Sequence, residues 1–311
     1  MPSPSRKRAY HPTERDIAIV RRVHSHRLLR SRDHLVRLFG GSENILRRIQ
    51  LLTKHKYLYT LKRRQHEQAI YGLGNRGSDL LLERFGIPRP KVDWSAQNRD
   101  LKPRHIEHTL LIADIVVSVE LACRQRRDIE YIPPEEILDG APQITRSKQM
   151  KVGENPLSMR TRVWYRNEWS MRGLTSDWLF GLRFPNTDDE VYFFLEADRG
   201  TMSVVAQNLS KASIIKKQLV YYHAWKKDRE TRSSLYEKLF GIPDIRTLFV
   251  VDTGFSSTKR LQSFIEASKL ITDGRGTGLF LFVTKASLLN TDNILNVPLL
   301  NGRGEIVRLI D

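Results

Sequence analysis

The sequence is poor in cysteine and in long apolar runs, and each shortage excludes a class of protein. Its single cysteine, Cys123, excludes an intramolecular disulfide and any multi-cysteine zinc site. No apolar run approaches the roughly 20 residues that a membrane helix requires, and no apolar signal core follows the basic N-terminus. We therefore expect no membrane association and a cytoplasmic location.

Acidic residues are scarce in the first fifth of the chain, where basic residues are concentrated. The 311 residues carry a formal net charge of +17, and residues 1–64 alone hold 17 Lys and Arg against 4 Asp and Glu. Concentrated positive charge attracts the phosphates of nucleic acid, although a membrane-surface or ribosome-associated protein could share it. The length allows two domains, each with its own core.

The pattern of predicted elements in residues 1–86 favours DNA as the partner. Thr13 and Asp16 form an approximate capping box, which predicts the start of a first helix. Ser42 is predicted to cap a third helix after the break at Gly40 and Gly41. In chain order the predicted elements are a helix at about 13–28, a short helix from 31, a helix at 43–55, strands at 57–61 and 69–73, and a helix at 76–85. This order is typical of a winged helix-turn-helix domain, which we predict for residues 1–86.

The third helix is the predicted reader of the DNA. Ile45, Ile49 and Leu52 recur at helical spacing and are predicted to face the core. In a winged helix the third helix enters the major groove and the wing contacts the backbone, so we expect double-stranded DNA as the partner. The alternative is a winged helix that binds protein. The predicted DNA-binding residues are Asn44, Arg47, Arg48 and Lys54 on the helix, and Lys62, Arg63 and Arg64 on the wing.

Proline and glycine predict a linker at residues 87–103, and a strong helical pattern follows it from Arg104 to about Arg126. Glu107 and Glu120 are the carboxylates that this helix could offer to a site. Farther on, residues 139–173 are predicted to form a basic, loop-like insert with seven Lys and Arg against two Glu, interleaved with tryptophan and tyrosine. Such a loop contacts nucleic acid by stacking and phosphate pairing, or its aromatic residues pack onto the sheet.

Continuous apolar runs alternate with helical patterns in the rest of the chain. Such runs imply strands that are covered on both faces, so we predict an α/β domain with a mixed sheet at residues 104–311. Its predicted order is helix, three strands, helix, strand, helix, strand. The later predicted elements are a long helix at about 205–227, a strand at 247–251, a helix at about 257–271 and a strand at 279–283.

Two acidic clusters mark a candidate site in this second domain. Asp177 lies on one predicted strand, and Glu196 and Asp198 lie on the next, beyond a turn at 185–189. Glu196 and Asp198 are two residues apart and therefore project from the same side of the strand. Converging carboxylates invite Mg²⁺ or Mn²⁺ and phosphodiester chemistry, whereas the alternative is that they cap strand ends and pair with arginine.

The order of elements and the acidic motifs resemble the PD-(D/E)xK nuclease superfamily. Over nearly its full length the chain more specifically resembles the replication-relaxation family of plasmids and other mobile elements. The resemblance rests on Thr13-Glu14-Arg15-Asp16, Leu73-Gly74-Asn75-Arg76-Gly77, Arg104-His105, Ser176-Asp177, Glu196-Ala197-Asp198-Arg199-Gly200-Thr201, and Lys217 with Tyr221.

The sequence departs from the nuclease pattern at two positions. Ser176 stands where the pattern has proline, which is a minor change. Asp198 stands where the pattern has lysine, and the loss of that lysine weakens the case for cleavage because it orients the attacking water and stabilises charge on the phosphate. Lys217 on the following helix is the best-placed replacement. Alternatively, Asp198 adds a metal ligand, or the fold is retained only as a platform for binding DNA or protein.

The resemblance implies a DNA-binding protein that acts in replication, DNA relaxation or transfer, with metal-dependent endonuclease activity as one outcome. There are two alternatives. The protein is a non-catalytic regulator, or it is a subunit that supplies strand cutting to a larger transfer or transposition complex. Partners would be DNA and other replication, transfer or transposition proteins. The candidate catalytic residues are Asp177, Glu196, Asp198 and Lys217, and the candidate ligands for Mg²⁺ or Mn²⁺ are Asp177, Glu196, Asp198 and Glu107, with Glu120 as an alternative to Glu107. A lysine or arginine that filled the space between Asp177 and Glu196 would instead indicate a structural ion pair.

Overall fold

The computed structural model describes residues 10–61, 67–89, 101–151, 153–291 and 293–311. The chain divides into two units, residues 1–114 and residues 115–311. The dividing point lies inside the helix Pro103–Arg124, so this helix contributes to both units. Residues 90–100 of the predicted linker lie outside the described residues.

The first unit contains helices around a small antiparallel sheet, in the predicted order. The strands lie in the order β1, β3, β2, with both pairs antiparallel. Ile45, Ile49 and Leu52 of the third helix are fully buried, as their spacing predicts. In chain order the elements are α1 (Glu14–His26), β1 (Leu28–Arg30), a π-helical turn (Ser31–Val36) that continues as α2 (Arg37–Phe39), α3 (Ser42–Lys54), β2 (Leu58–Thr60), β3 (Ile70–Leu73) and α4 (Asn75–Phe85).

The capping box predicted at the start of α1 is confirmed. The Thr13 hydroxyl accepts a hydrogen bond from the Asp16 backbone N–H, and the Asp16 carboxylate accepts one from the Thr13 N–H at 2.9 Å. Two boundary predictions are wrong. The helix α1 ends before Leu28 because Arg27 has a φ of +64° and Leu28 pairs with β3. Ser42 is the first residue of α3 rather than its cap, which is Gly41 at a φ of +62°.

The second unit is built on a seven-stranded mixed sheet, which confirms the predicted α/β class. The strand order is β12, β11, β10, β9, β8, β7, β4; strands β8, β9 and β10 are parallel neighbours and the other pairs are antiparallel. Two further strands, β5 and β6, form a separate hairpin. The strands are β4 (Glu130–Ile132), β5 (Ser158–Tyr165), β6 (Glu168–Thr175), β7 (Trp178–Phe184), β8 (Asp189–Asp198), β9 (Arg246–Val251), β10 (Phe280–Thr284), β11 (Leu299–Asn301) and β12 (Ile306–Val307).

Helices cover this sheet, and aromatic side chains fill the space beneath them. Phe194 of β8 and Phe249 of β9 are fully buried in the main core cluster, where Phe194 lies with its ring centroid 5.2 Å from that of Tyr221. No helix within the described ranges is long and apolar enough to cross a bilayer. The helices are α5 (Pro103–Arg124), α6 (Pro134–Asp139), α7 (Gln143–Met150), α8 (Ile214–Trp225), α9 (Leu235–Phe240), α10 (Ser257–Leu270) and α11 (Lys285–Leu289).

Two predictions for the second unit are wrong. The segment 139–173 is not a loop, because it contains α7, β5 and most of β6. The helix predicted at about 205–227 begins only at Ile214, where the Ser213 side chain caps it. The chain before the helix runs alongside its start: the N–H groups of Ile214 and Ile215 donate to the carbonyls of Ser203 and Val204 at 3.1 and 2.9 Å. Because these bonds join residues 203–204 to residues 214–215, residues 205–212 form an irregular loop before the helix.

Candidate functional site

The two predicted acidic clusters come together at the end of strand β8. Asp177 precedes β7, and β7 pairs with β8 so that Trp178 lies opposite Leu195. This register brings the Asp177 carboxylate to the backbone of β8, where its Oδ2 accepts the Ala197 N–H at 2.9 Å. Glu196 is 1% exposed, whereas Asp177 is only half-buried. The prediction that the two strands join Asp177 and Glu196 in one site is therefore consistent with the register.

Two side chains of helix α8 hold the Glu196 carboxylate. The Lys217 ammonium forms an ion pair with Oε2, and the Tyr221 hydroxyl donates to Oε1. Lys217 and Tyr221 are four residues apart, so they lie on the same side of the helix and reach one carboxylate together. Tyr221 in turn is buried and accepts the Tyr236 hydroxyl on its carbonyl at 3.1 Å.

Burial governs the protonation of this cluster. Removal from water raises the pKa of Glu196 from 4.5 to about 7, although the Lys217 charge lowers it, and the charge of Asp177 adds to the increase. Burial opposes the charged form of Lys217, but the carboxylates of Glu196 and Asp177 outweigh it and raise the pKa of the ammonium. Burial and Glu196 likewise raise the pKa of the Tyr221 hydroxyl.

Asp198 is held by an arginine that sequence reasoning did not identify. The Arg260 guanidinium, from α10, binds both Asp198 oxygens, with Nη2 2.8 Å from Oδ1. Its Nη2 also donates to the Met202 carbonyl at 2.6 Å. Asp198 is 2% exposed and accepts the Gly200 N–H on Oδ2 at 3.3 Å. The buried Asp198 carboxylate is therefore neutralised by Arg260, and this ion pair joins β8 to α10.

The two carboxylates predicted on helix α5 are placed differently from each other. Glu107 belongs to the first unit and is exposed there. Glu120 belongs to the second unit, is 4% exposed, and accepts Nη2 of Arg124 at 2.6 Å.

The carboxylates at the end of β8 fit a divalent cation poorly in the arrangement that the structure shows. Both oxygens of Glu196 and both oxygens of Asp198 are bonded to donors of the chain itself. Among the residues that the structure describes, no three His, Cys, Asp or Glu side chains form a group that could hold a metal ion. A hard cation prefers oxygen ligands, so it would have to replace Lys217 at Glu196.

The outer face of helix α3 is the second candidate site. Asn44, Arg47 and Lys54 are exposed there, opposite the buried face. Lys62, Arg63 and Arg64, predicted on the wing, lie outside the described residues.

Arg48 departs from the expectation that it shares the outer face of α3 with Arg47. Its Nε donates to Oδ1 of Asp16 at 2.7 Å, and its Nη2 donates to Thr13 at 2.5 Å. Asp16 is fully buried and also accepts the Tyr10 hydroxyl at 2.8 Å. The Arg48 guanidinium therefore faces α1. Among the donors that contact the buried Asp16 carboxylate, Arg48 alone carries a positive charge, whereas Tyr10 and Thr13 donate neutral hydrogen bonds.

Comparison with known proteins gives one match. The family described as replication-relaxation matches residues 20–235, about two thirds of the chain. The matched range contains both helix α3 and the cluster of Asp177, Glu196 and Lys217. No curated protein and no solved structure matches the chain. The match connects the chain with the replication or relaxation of plasmids and other mobile elements.

Proposed function

The chain belongs to the replication-relaxation family, and we propose that it acts by binding the double-stranded DNA of a plasmid or similar mobile element. Binding serves the replication, relaxation or transfer of that DNA, together with other replication, transfer or transposition proteins. In this proposal the first unit is a winged helix that reads the major groove, and the second unit is a platform for DNA or partner proteins.

The observation that carries the proposal is the two-sided character of helix α3. Its inner face is fixed in the core by Ile45, Ile49 and Leu52, so the opposite face is presented rigidly. That opposite face carries Asn44, which suits an adenine edge, and Arg47, which suits a guanine edge or a phosphate. Residues 1–64, which include α3, also carry most of the excess positive charge of the chain.

A titration of duplex DNA at several salt concentrations tests this role. The variant Arg47→Ala/Lys54→Ala removes two exposed cations from α3, and Lys269→Ala/Arg308→Ala removes two exposed cations from the second unit as a matched control. Each lost phosphate contact reduces the slope of log K against log salt by about 0.9. The α3 variant should therefore flatten the slope by about 0.9 where Arg47 contacts a guanine edge, and by about 1.8 where Arg47 and Lys54 both contact phosphates. Equal slopes for the α3 variant and the wild type would show that duplex DNA binds elsewhere.

Metal-dependent DNA cleavage is the second candidate function. It is favoured by the convergence of Asp177, Glu196 and Lys217 from three separate elements at the end of β8. The order of α5, β4, β7, β8, α8 and β9 also follows the order expected for the resemblance to nucleases. Against it stand the internal bonds of Glu196 and Asp198, and for that reason we propose the non-catalytic platform first.

Supercoiled plasmid separates the two functions. The wild type and Glu196→Gln are incubated with plasmid and Mg²⁺ or Mn²⁺, and nicked or relaxed product is measured on a gel. The platform proposal predicts equal product for both proteins, at the level of a mock purification. Product that the wild type forms and Glu196→Gln does not form would establish the nuclease instead, because a contaminating nuclease would not depend on Glu196.

A further inference from the structure

A basic groove lies in the second unit, between the β5–β6 hairpin and the segment that follows helix α8. Its volume is about 780 Å³. Trp169 and Arg162 of the hairpin form one wall, and Lys226, Lys227, Arg229 and Lys238 lie along the other. The groove is separate from the cluster around Glu196 and uses none of its residues.

The tryptophan wall is exposed yet fixed in position. Trp169 is 50% exposed and its cross-strand neighbour Trp164 is 43% exposed, with 5.4 Å between the ring centroids. His223 of α8 holds both residues: its ring packs edge-on against Trp169 at 5.5 Å, and its Nε2 accepts the Trp164 backbone N–H at 3.3 Å. Burial lowers the pKa of His223 to about 4, which keeps this nitrogen an acceptor at neutral pH.

Positive charge dominates the groove and is not neutralised from within. Asp228 is the single acidic residue among those that line it, against five lysines and arginines. The Asp228 carboxylate accepts the backbone N–H groups of Glu230 and Thr231 at 3.1 and 2.8 Å, so it is used in the local turn. In the described part of the chain, none of the five cations forms an ion pair with a carboxylate. The Arg162 guanidinium instead lies over the Trp169 ring, 5.4 Å from its centroid.

We propose that this groove binds single-stranded DNA. Trp169 is half exposed and fixed by its neighbours, so the part of its ring that Arg162 does not cover offers an aromatic surface on which an unpaired base stacks. The row of cations along the opposite wall follows the phosphates. Duplex DNA does not fit this chemistry because its bases are already stacked on one another and only their edges are accessible. The inference goes beyond the proposed binding of duplex DNA by helix α3, and it rests on different residues.

The test uses the full chain and a fluorescently labelled oligo-dT of about 20 nucleotides, long enough to span a groove of this kind. Trp169→Ala should weaken binding by about tenfold or more, because base stacking on one tryptophan is lost. Trp169→Phe retains an aromatic face and should stay within about threefold of the wild type. Thermal unfolding of each variant reports whether the hairpin still packs on α8.

The charge component has its own readout. Lys226→Ala/Lys227→Ala should flatten the slope of log K against log salt by about 1.4, because each phosphate contact to a single strand contributes about 0.7. The control Lys269→Ala/Arg308→Ala removes equal charge elsewhere and should leave the slope unchanged. Arg47→Ala/Lys54→Ala should weaken duplex binding while oligo-dT binding persists, which separates a failure of this inference from a failure of the proposed function.

Three results would overturn the proposal. The first is oligo-dT affinity that is equal for the wild type, Trp169→Ala and Lys226→Ala/Lys227→Ala. The second is a preference of more than tenfold for an RNA oligonucleotide of the same length. The third is binding of oligo-dT that disappears in Arg47→Ala/Lys54→Ala, which would assign single strands to helix α3. If Trp169→Ala does not fold, the salt slope of Lys226→Ala/Lys227→Ala decides.

Discussion

Lys217 and Glu196 form an ion pair between the first turn of helix α8 and strand β8, and both side chains are largely removed from water. The Tyr221 hydroxyl occupies the second Glu196 oxygen. The Lys217 ammonium lies where a cation bound to Oε2 of Glu196 would lie, so a metal ion at that oxygen would have to displace it. The same ion pair links α8 to the sheet where Asp177, Glu196 and Lys217 converge.

Loss of the lysine should destabilise the fold in a pH-dependent way. Lys217→Met should lower the free energy of unfolding by about 3 kcal/mol at pH 8, because it leaves a buried carboxylate without its partner. At pH 5.5 the loss should be smaller, since Glu196 then holds a proton. Urea unfolding at the two pH values measures both. The double variant Lys217→Met/Glu196→Gln should recover part of the loss at pH 8, and an equal loss at both pH values would contradict the assignment.

The raised pKa of Glu196 predicts the sign of a stability change with pH. Its pKa is about 7 in the folded chain against an ordinary value of 4.5, so the folded state retains a proton that the unfolded state has released. This contribution is fully present below about pH 4.5 and is lost as the pH rises through about 7. The difference in unfolding free energy between the wild type and Glu196→Gln should therefore fall by about 3 kcal/mol between pH 4.5 and pH 8.

The comparison with Glu196→Gln removes the contributions of titrating groups that do not contact Glu196. Burial lowers the pKa of His223 and of His26, and their contributions run in the opposite direction, but they are common to both proteins and cancel in the difference. Glu266→Gln, which removes an exposed carboxylate from α10, controls for the loss of one negative charge. A difference that rises with pH would show that Glu196 is ionised in the folded state throughout.

Truncation of the adjacent residues Arg47 and Arg48 on helix α3 should affect different properties, DNA binding for Arg47 and stability for Arg48. Arg47→Ala should weaken duplex binding by about 1–3 kcal/mol and leave stability unchanged within about 0.5 kcal/mol, because its side chain is exposed. Arg48→Ala should lower the stability of the first unit by about 2 kcal/mol, because it removes charged hydrogen bonds to the buried Asp16. Calorimetry and duplex titration of both variants check this, and equal stability for the two would contradict the role given to Asp16.

Gly200 should tolerate no side chain, for two additive reasons. Its φ is +73°, which an L-residue adopts at a cost of about 1–2 kcal/mol, and an added Cβ would lie 2.6 Å from Cγ2 of Thr253. Gly274 has a φ of +83° with no atom within 4 Å of an added Cβ, so Gly274→Ala has the backbone cost alone. We expect Gly200→Ala to lose about 1–2 kcal/mol more than Gly274→Ala in urea unfolding. Thr253→Ser in the Gly200→Ala background removes Cγ2 and should restore that excess.

Local patterns in the sequence were sufficient for most of the larger elements. The capping box at Thr13 and the apolar spacing of Ile45, Ile49 and Leu52 predict α1 and α3, and the apolar runs predict β9 and β10. The β5–β6 hairpin escaped prediction because β6 alternates between exposed and only half-buried residues and has no apolar face of its own. The late start of α8 was not predicted because the bonds from Ile214 and Ile215 to Ser203 and Val204 join residues 11 apart, which is farther than the spacing of bonds within a helix.

The sequence by itself determined the fold class, the basic first unit, and the occurrence of Glu196 and Asp198 on one strand beside the strand that Asp177 precedes. It did so because strand alternation and helical spacing are short-range properties that can be read within a window of a few residues. Only the tertiary structure decided that Lys217 neutralises Glu196, that Arg260 neutralises Asp198 from 62 residues away, and that Arg48 faces Asp16. Pairing of buried charges depends on distance and burial after the elements have packed, and no spacing along the chain encodes either quantity.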